Sequence, residues 1–297
     1  MIVRRSFILL FLFLISLVVN ARDTETDTTK FWGTGGTSSV TFSQVSLKNW
    51  AAGGESSYSL NSMINLFAKY KKDKLSWDNT LDFGYGIIKQ EGRQVRKTDD
   101  KIDIKSKFGY EAASNWYYSG AFSFKTQFAK GFKYNEDQGT RKLISDFMSP
   151  AYMLLSLGMD YKPDDGFNML ISPVTGKTTV VLDDTLSQAG AFGVEEGNKV
   201  RNEFGGYLKI AYTKDIWDNV TLNTKIDLFS NYLDEPGNVD VNWELLVSMK
   251  INEFLSANIN TQLIYDDNIQ YIDEDGNEHG PRIQFKEVFG VGFSYKF

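Results

Sequence analysis

Apolar and polar residues alternate along this chain, over runs longer than a globular strand needs. In Lys74–Ile88, the side chains of Leu75, Trp77, Leu81, Phe83, Tyr85 and Ile87 fall on one face. In Val239–Ile251, Val239, Val241, Trp243, Leu245, Val247, Met249 and Ile251 oppose Asp240, Asn242, Glu244, Ser248 and Lys250. Successive side chains of a strand point to opposite faces, so period two means one apolar and one polar face. The pattern predicts twelve strands, at about 37–47, 56–70, 74–88, 101–111, 115–129, 150–161, 167–173, 202–213, 219–230, 239–251, 254–266 and 282–297. Most of these run 10–16 residues. Globular strands average ~5–6 residues, whereas a tilted membrane strand needs ~9–11. The five prolines (150, 163, 173, 236 and 281) fall at the ends of runs, where a missing N–H breaks no ladder.

The connections sort into two sets. Those after even-numbered strands are short, and those after odd-numbered strands are longer. Short turns at one end, long loops at the other and an even strand count are the plan of an outer-membrane barrel. The expected fold is therefore all-β: a transmembrane, antiparallel, up-and-down barrel of about twelve strands, with both ends of the barrel domain on the periplasmic side. The last run places Phe289, Val291, Phe293, Tyr295 and Phe297 on one face, and lipid is what would cover it. Trp77, Trp116 and Trp243 suit the interfacial girdles.

The front of the chain predicts export. Arg4 and Arg5 precede a 13-residue apolar run, Phe7–Val19, and small residues follow up to Ala21. That is short for a membrane helix and right for a signal peptide. The expected division is 1–21 signal peptide, 22–36 flexible segment and 37–297 barrel. Net charge is −6 for the whole chain. Without residues 1–21 it becomes −8, from 30 basic and 38 acidic residues. This acidity argues against a nucleic-acid partner, and the expected surroundings are outer-membrane lipid. No cysteine is present, which excludes thiol catalysis and cysteine metal sites.

If the polar faces point inward, the wall carries Lys105, Lys107, Lys125, Lys209, Lys225, Lys250 and Lys286. Against them stand Asp103, Glu111, Glu203, Asp227 and Glu244. A lysine facing lipid at mid-bilayer costs ~2–4 kcal/mol, which fixes the face. Such near-balance fits a filled, salt-bridged interior better than an ion-selective pore. Twelve strands lie between the packed eight-stranded barrels and the open porins. The wall therefore implies either a narrow passage for a small or amphipathic molecule, or a structural barrel with no flux; a lipid-modifying enzyme is a distant third.

Sites for other chemistry are few. The one histidine, His279, lies in a charged hairpin tip with Asp266, Asp267, Asp273, Glu274, Asp275 and Glu278. The carboxylate spacing follows no known calcium loop, so no catalytic residue, metal or cofactor is expected. The glycines of Asn49–Gly54 read as a turn or bulge. Gly33–Ser38 lacks the strand-before, helix-after context of a phosphate loop. The stretch Asp183–Lys199 differs: loops this long are usually functional or disordered. Its apolar centre, Ala189–Val194, gives it reason to fold back into the barrel mouth.

Three stretches, Val45–Ser62, Ile144–Pro163 and Ile171–Val194, resemble an uncharacterised outer-membrane family of Bacteroidota, the domain of unknown function numbered 3078. The resemblance implies a β-barrel and brings no activity or site residues. The aromatic Phe297 at the end of the last run is similar to the signal that outer-membrane barrels present to their assembly machinery, which is the expected protein partner.

Overall fold

The computed structural model describes residues 31–47, 55–135, 139–272 and 278–297. The expected signal peptide and the Asn49–Gly54 turn lie outside these residues. Sixteen strands are present among the described residues. Twelve close into one barrel: β1 (Trp32–Val45), β2 (Ser57–Lys72), β3 (Leu75–Gln90), β4 (Arg96–Ala113), β5 (Trp116–Thr126), β8 (Ala151–Tyr161), β9 (Phe167–Val180), β10 (Val200–Trp217), β11 (Val220–Asn231), β12 (Val239–Lys250), β13 (Leu255–Tyr265) and β16 (Gln284–Lys296). The other four form two hairpins in the long connections, β6 (Gly131–Asn135) with β7 (Thr140–Ser145) and β14 (Gln270–Ile272) with β15 (Glu278–Pro281). All pairings in the ring are antiparallel between chain neighbours, and β1 against β16 closes it.

Burial is inverted relative to a globular protein. Among the described residues, seven apolar side chains are buried, against seventeen polar or charged ones. Meanwhile Ile104, Phe108 and Tyr110 of β4 point outward, exposed, and Asp103, next to Ile104, is buried. On β16, Phe285, Phe289, Phe293 and Tyr295 are exposed, with Phe293 at 69%. An apolar belt of this extent has no stable place in water. It matches the outward band of a membrane barrel. No helix among the described residues is long and apolar enough to cross a membrane; the crossing is made by strands. Near the short-turn end, Trp32, Tyr70 and Trp77 cluster, with ring centroids 5.2–5.7 Å apart, and Trp116 lies 4.8 Å from Tyr161.

Several ends differ from the pattern reading. β1 starts at Trp32, so residues 32–36 belong to the barrel and not to a flexible segment. The glycines there read as loop but serve close approach: a Cβ on Gly35 would sit 2.7 Å from the Phe67 ring and 2.8 Å from the Phe297 carbonyl. β9 continues through Pro173 to Val180, because the proline falls at a register shift where its missing N–H is tolerated. β4 and β10 are each 18 residues long and outrun their expected ranges at both ends.

The closing seam is the thinnest in the barrel. β1 and β16 pair from Thr37↔Lys296 to Phe42↔Val291, whereas β2 and β3 pair from Ser57↔Gln90 to Lys72↔Leu75. Two further bonds extend the seam: Gly36 N–H donates to Phe297 O at 2.9 Å, and Phe297 N–H donates to Gly36 O at 3.0 Å. Removing Phe297 is expected to slow assembly. A heat-modifiability gel of refolding protein checks this; a folding rate equal to that of the full chain refutes it.

Candidate functional site

The inward residues of β4 set the pattern. Lys101, Asp103, Lys105 and Lys107 are spaced by two, so all four project into the lumen. Lys105 Nζ lies 2.8 Å from Asp103, and Lys101 lies 3.6 Å from it. Lys107 reaches past β5 to Asp160 of β8 at 2.6 Å. Asp160 is fully buried and also meets Lys162 at 3.3 Å. On the opposite side, Lys209 pairs with Asp227 at 3.1 Å, and the Tyr207 hydroxyl donates to the same carboxylate.

One contact spans the barrel. Lys101 Nζ approaches Glu244 Oε1 at 3.6 Å, although β4 and β12 stand six strands apart in the ring of twelve. Side chains of opposite walls therefore meet near the axis. Lys105, Lys125 and Lys225 also lie within electrostatic reach of Glu244. The predicted lumen residues Lys105, Lys125, Lys209, Lys225, Asp227 and Glu244 are thus brought together, whereas Lys107 belongs to the separate Asp160 group. Lys250 is not: it is exposed at the last position of β12, beside the short turn. Pattern reading missed Asp160, near the end of β8, and Lys177, which lies beyond the expected strand end at 173 but inside β9.

Lys177 is the hub near the long-loop end. Its Nζ lies 2.6 Å from Asp240, 3.3 Å from Glu203 and 3.7 Å from Asp266, and 5.0 Å from the centroid of the Phe229 ring. Arg201 meets Glu203 at 3.0 Å. Above this hub is a cavity of about 20 Å³, lined by Glu203, Asp234, Glu235, Asp240 and Asp267 among others. No group of carboxylates and histidines among the described residues is arranged to hold a metal. Of the predicted acidic tip, Asp266 and Asp267 belong to this rim, whereas Asp273, Glu274 and Asp275 lie outside the described residues. His279 is exposed on β15, where its backbone pairs with Tyr271.

Among the described residues, the mouth carries the one cluster of buried apolar side chains. The β9–β10 connection folds into a short helix, α1 (Asp184–Gln188), capped by Asp183, whose carboxylate accepts the Leu186 N–H at 3.0 Å. Val181, Leu186 and Val194 bury together, with Leu143 of β7, Ala191 and Phe192 packed against them. Asp184 pairs with Lys199 at 2.7 Å, and that hydrogen bond and charge hold its carboxyl below the usual range. Arg201 Nη1 donates to the Gly193 carbonyl at 3.1 Å, tying the loop to the ion-pair hub. Gly193 has φ +70°, and a side chain there would strike the Asn268 carbonyl at 2.8 Å, so the loop reaches the β13–β16 connection. The expectation that 183–199 folds back at the mouth agrees with this packing.

A closed antiparallel barrel with an apolar outer band and a charged, ion-paired interior is an outer-membrane β-barrel protein. Residues 42–132 match the family described as "Protein of unknown function (DUF3078)", which takes in the first of the three resembling stretches. No curated protein matches the sequence. Among solved structures, the chain is similar to the translocator domain of autotransporter NalP from Neisseria meningitidis, at 11% identity and TM-score 0.37, over 99% of this chain and 96% of that one. It is also similar to the COG4313 outer membrane channel from Pseudomonas putida F1, at 13% identity and TM-score 0.39, over 92% and 100%. The NanC porin matches at 9% identity and TM-score 0.38, over 87% and 98%.

Proposed function

We propose that the protein binds a small polar or amphipathic molecule and admits it through a narrow lumen covered by the 181–199 loop. The Lys101–Glu244 contact carries this reading. Charges meeting across the axis leave no wide water column at that level, yet Lys101, Lys105 and Lys107 keep partly exposed side chains. A polar solute that exchanges partners with these groups can be held there. We read the protein as a passage and binding barrel, not an enzyme, because buried charges pair with one another and the single histidine stands out on a hairpin. Lipid around the apolar belt and the assembly machinery at β16 complete its partners in this reading.

The density of ion pairs also favours a second reading, a structural barrel that passes nothing. Planar-bilayer recordings separate the two. The intact protein is expected to conduct weakly or not at all. Val180 already faces Val200, so residues 181–199 can be replaced by Asn-Gly, a two-residue hairpin turn. That replacement is expected to raise conductance several-fold. Large, steady currents from the intact protein would overturn the covered-lumen reading, and no change on loop replacement would favour the structural barrel.

A further inference from the structure

The outer wall has a groove where β9 and β10 lose register. Gly205 pairs with Thr175 and Tyr207 with Ser172, so Gly206 alone stands opposite Pro173 and Val174. β9 is also shifted against β8, between Leu157 and Met159. Ser172 Oγ repairs the break, reaching the Leu157 carbonyl at 2.8 Å and the Val174 carbonyl at 2.9 Å. Outside, the Tyr232 ring lies over Gly206, where a Cβ would sit 2.6 Å from its hydroxyl, and beside it is a hollow of about 370 Å³, bounded by Ile171, Pro173, Leu208, Leu228 and Val239. Ile171 and Val239 are exposed, so the hollow opens to the bilayer and not to the lumen.

The turn that caps this groove carries the acidic cavity on its other face. Tyr232 and Val239, at the two ends of the β11–β12 turn, line the groove; Asp234, Glu235 and Asn238 between them line the cavity. Beside this turn the wall steps up, because β10 continues to Val200 beyond Gly205, which pairs with the last residue of β11. Asp234 has no ion pair or hydrogen bond among the described residues. Glu203, which lines the cavity with 3% of its side chain exposed, has both oxygens buried without a hydrogen-bond partner; Oε2 is ion-paired with Lys177 and Arg201, whereas Oε1 has neither kind of partner. A buried carboxylate oxygen left without a donor calls for a cation or a hydrogen-bond donor.

We propose that this rim binds a single-chain amphipath with a cationic amine head. The apolar tail lies in the Gly206 groove, within the bilayer. The head folds over the β11–β12 turn towards Asp234, Glu235 and Glu203. The charge at the rim selects the amine: carboxylates outnumber Lys177 and Arg201 there, so an anionic head is repelled. The site does not depend on whether the lumen conducts.

The test is photo-crosslinking in nanodiscs of zwitterionic lipid, with a dodecylamine carrying a chain diazirine and the matching dodecanoate as its anionic twin. Labels are mapped by peptide mass spectrometry and normalised to those on the outer faces of β3 and β4. The amine is expected to label residues 171–173, 206–208 and 228–239 at least five-fold above that reference, and dodecanoate not to. Asp234→Asn with Glu235→Gln, both in a surface turn, should abolish the difference between amine and dodecanoate. Val239→Trp, on the outward face, should reduce amine labelling at the groove by filling it. Labelling spread evenly around the belt, or equal preference for the two heads in the unaltered protein, overturns the proposal.

Discussion

Asp160→Ala is expected to destabilise the folded barrel by about 3–5 kcal/mol, the cost of removing one partner from a buried ion pair. Asp160 is fully buried, and its carboxylate faces Lys107 at 2.6 Å and Lys162 at 3.3 Å. Lys162 has a second partner, Asp78 at 2.6 Å. Lys107 does not: its remaining bond is to the Asn168 amide oxygen at 2.8 Å. The alanine variant therefore strands the Lys107 charge inside the barrel. Replacing both residues with apolar ones of similar volume, Lys107→Met with Asp160→Leu, is expected to recover much of the loss, because two desolvation costs disappear with the pair. Urea unfolding in micelles, followed by tryptophan fluorescence, reads the difference. A single variant as stable as the parent shows that water reaches Lys107 and that the lumen is wetter at this level than the burial implies.

The twelve barrel strands were legible because a membrane wall imposes a strict rule on each residue in turn. A lysine misplaced onto the lipid face costs ~2–4 kcal/mol, so none falls on the outward face of β12 or β16, although Leu246 and Val288 turn inward and Glu287 outward. Ends were less legible. Gly33, Gly35 and Gly36 look like a loop, and only the Phe67 ring and the Phe297 backbone pressing on β1 explain them. Pro173 looks like a stop, and only the register shifts on both sides of β9 show why it is tolerated. Hairpins β6–β7 and β14–β15 are too short for periodicity to reveal. In the lumen, the inward sign of each residue could be read from spacing, but its partner could not. Lys107 and Asp160 are 53 positions apart, and Lys101 and Glu244 are 143 apart. Only ring order brings either pair together. The mouth was legible in part, since the apolar centre of 189–194 called for cover, but its partner Leu143 belongs to a hairpin with no sequence signature.

Cutting the contact across the axis should change what the lumen lets through. Glu244→Gln keeps the shape of the side chain and removes its charge. Lys101, Lys105, Lys125 and Lys225 then lose the carboxylate they share, with Asp82, Asp103 and Asp227 left to balance them. Two unit charges ~4 Å apart interact by about 4 kcal/mol at an effective dielectric of ~20, before counterions screen them. A change of that size at a constriction is enough to bias ion entry. In the barrel whose 181–199 loop has been replaced, Glu244→Gln is expected to shift the reversal potential in a potassium chloride gradient towards chloride. Lys101→Met should shift it towards potassium. The pair of substitutions should cancel, and unfolding of the four proteins should show coupling between the two positions, as expected of residues in contact and not of distant independent sites. Shifts of the same sign in both single variants, or purely additive stabilities, mean that opposite walls do not meet at Lys101 and Glu244. The lumen would then be wider than a pair of side chains can close.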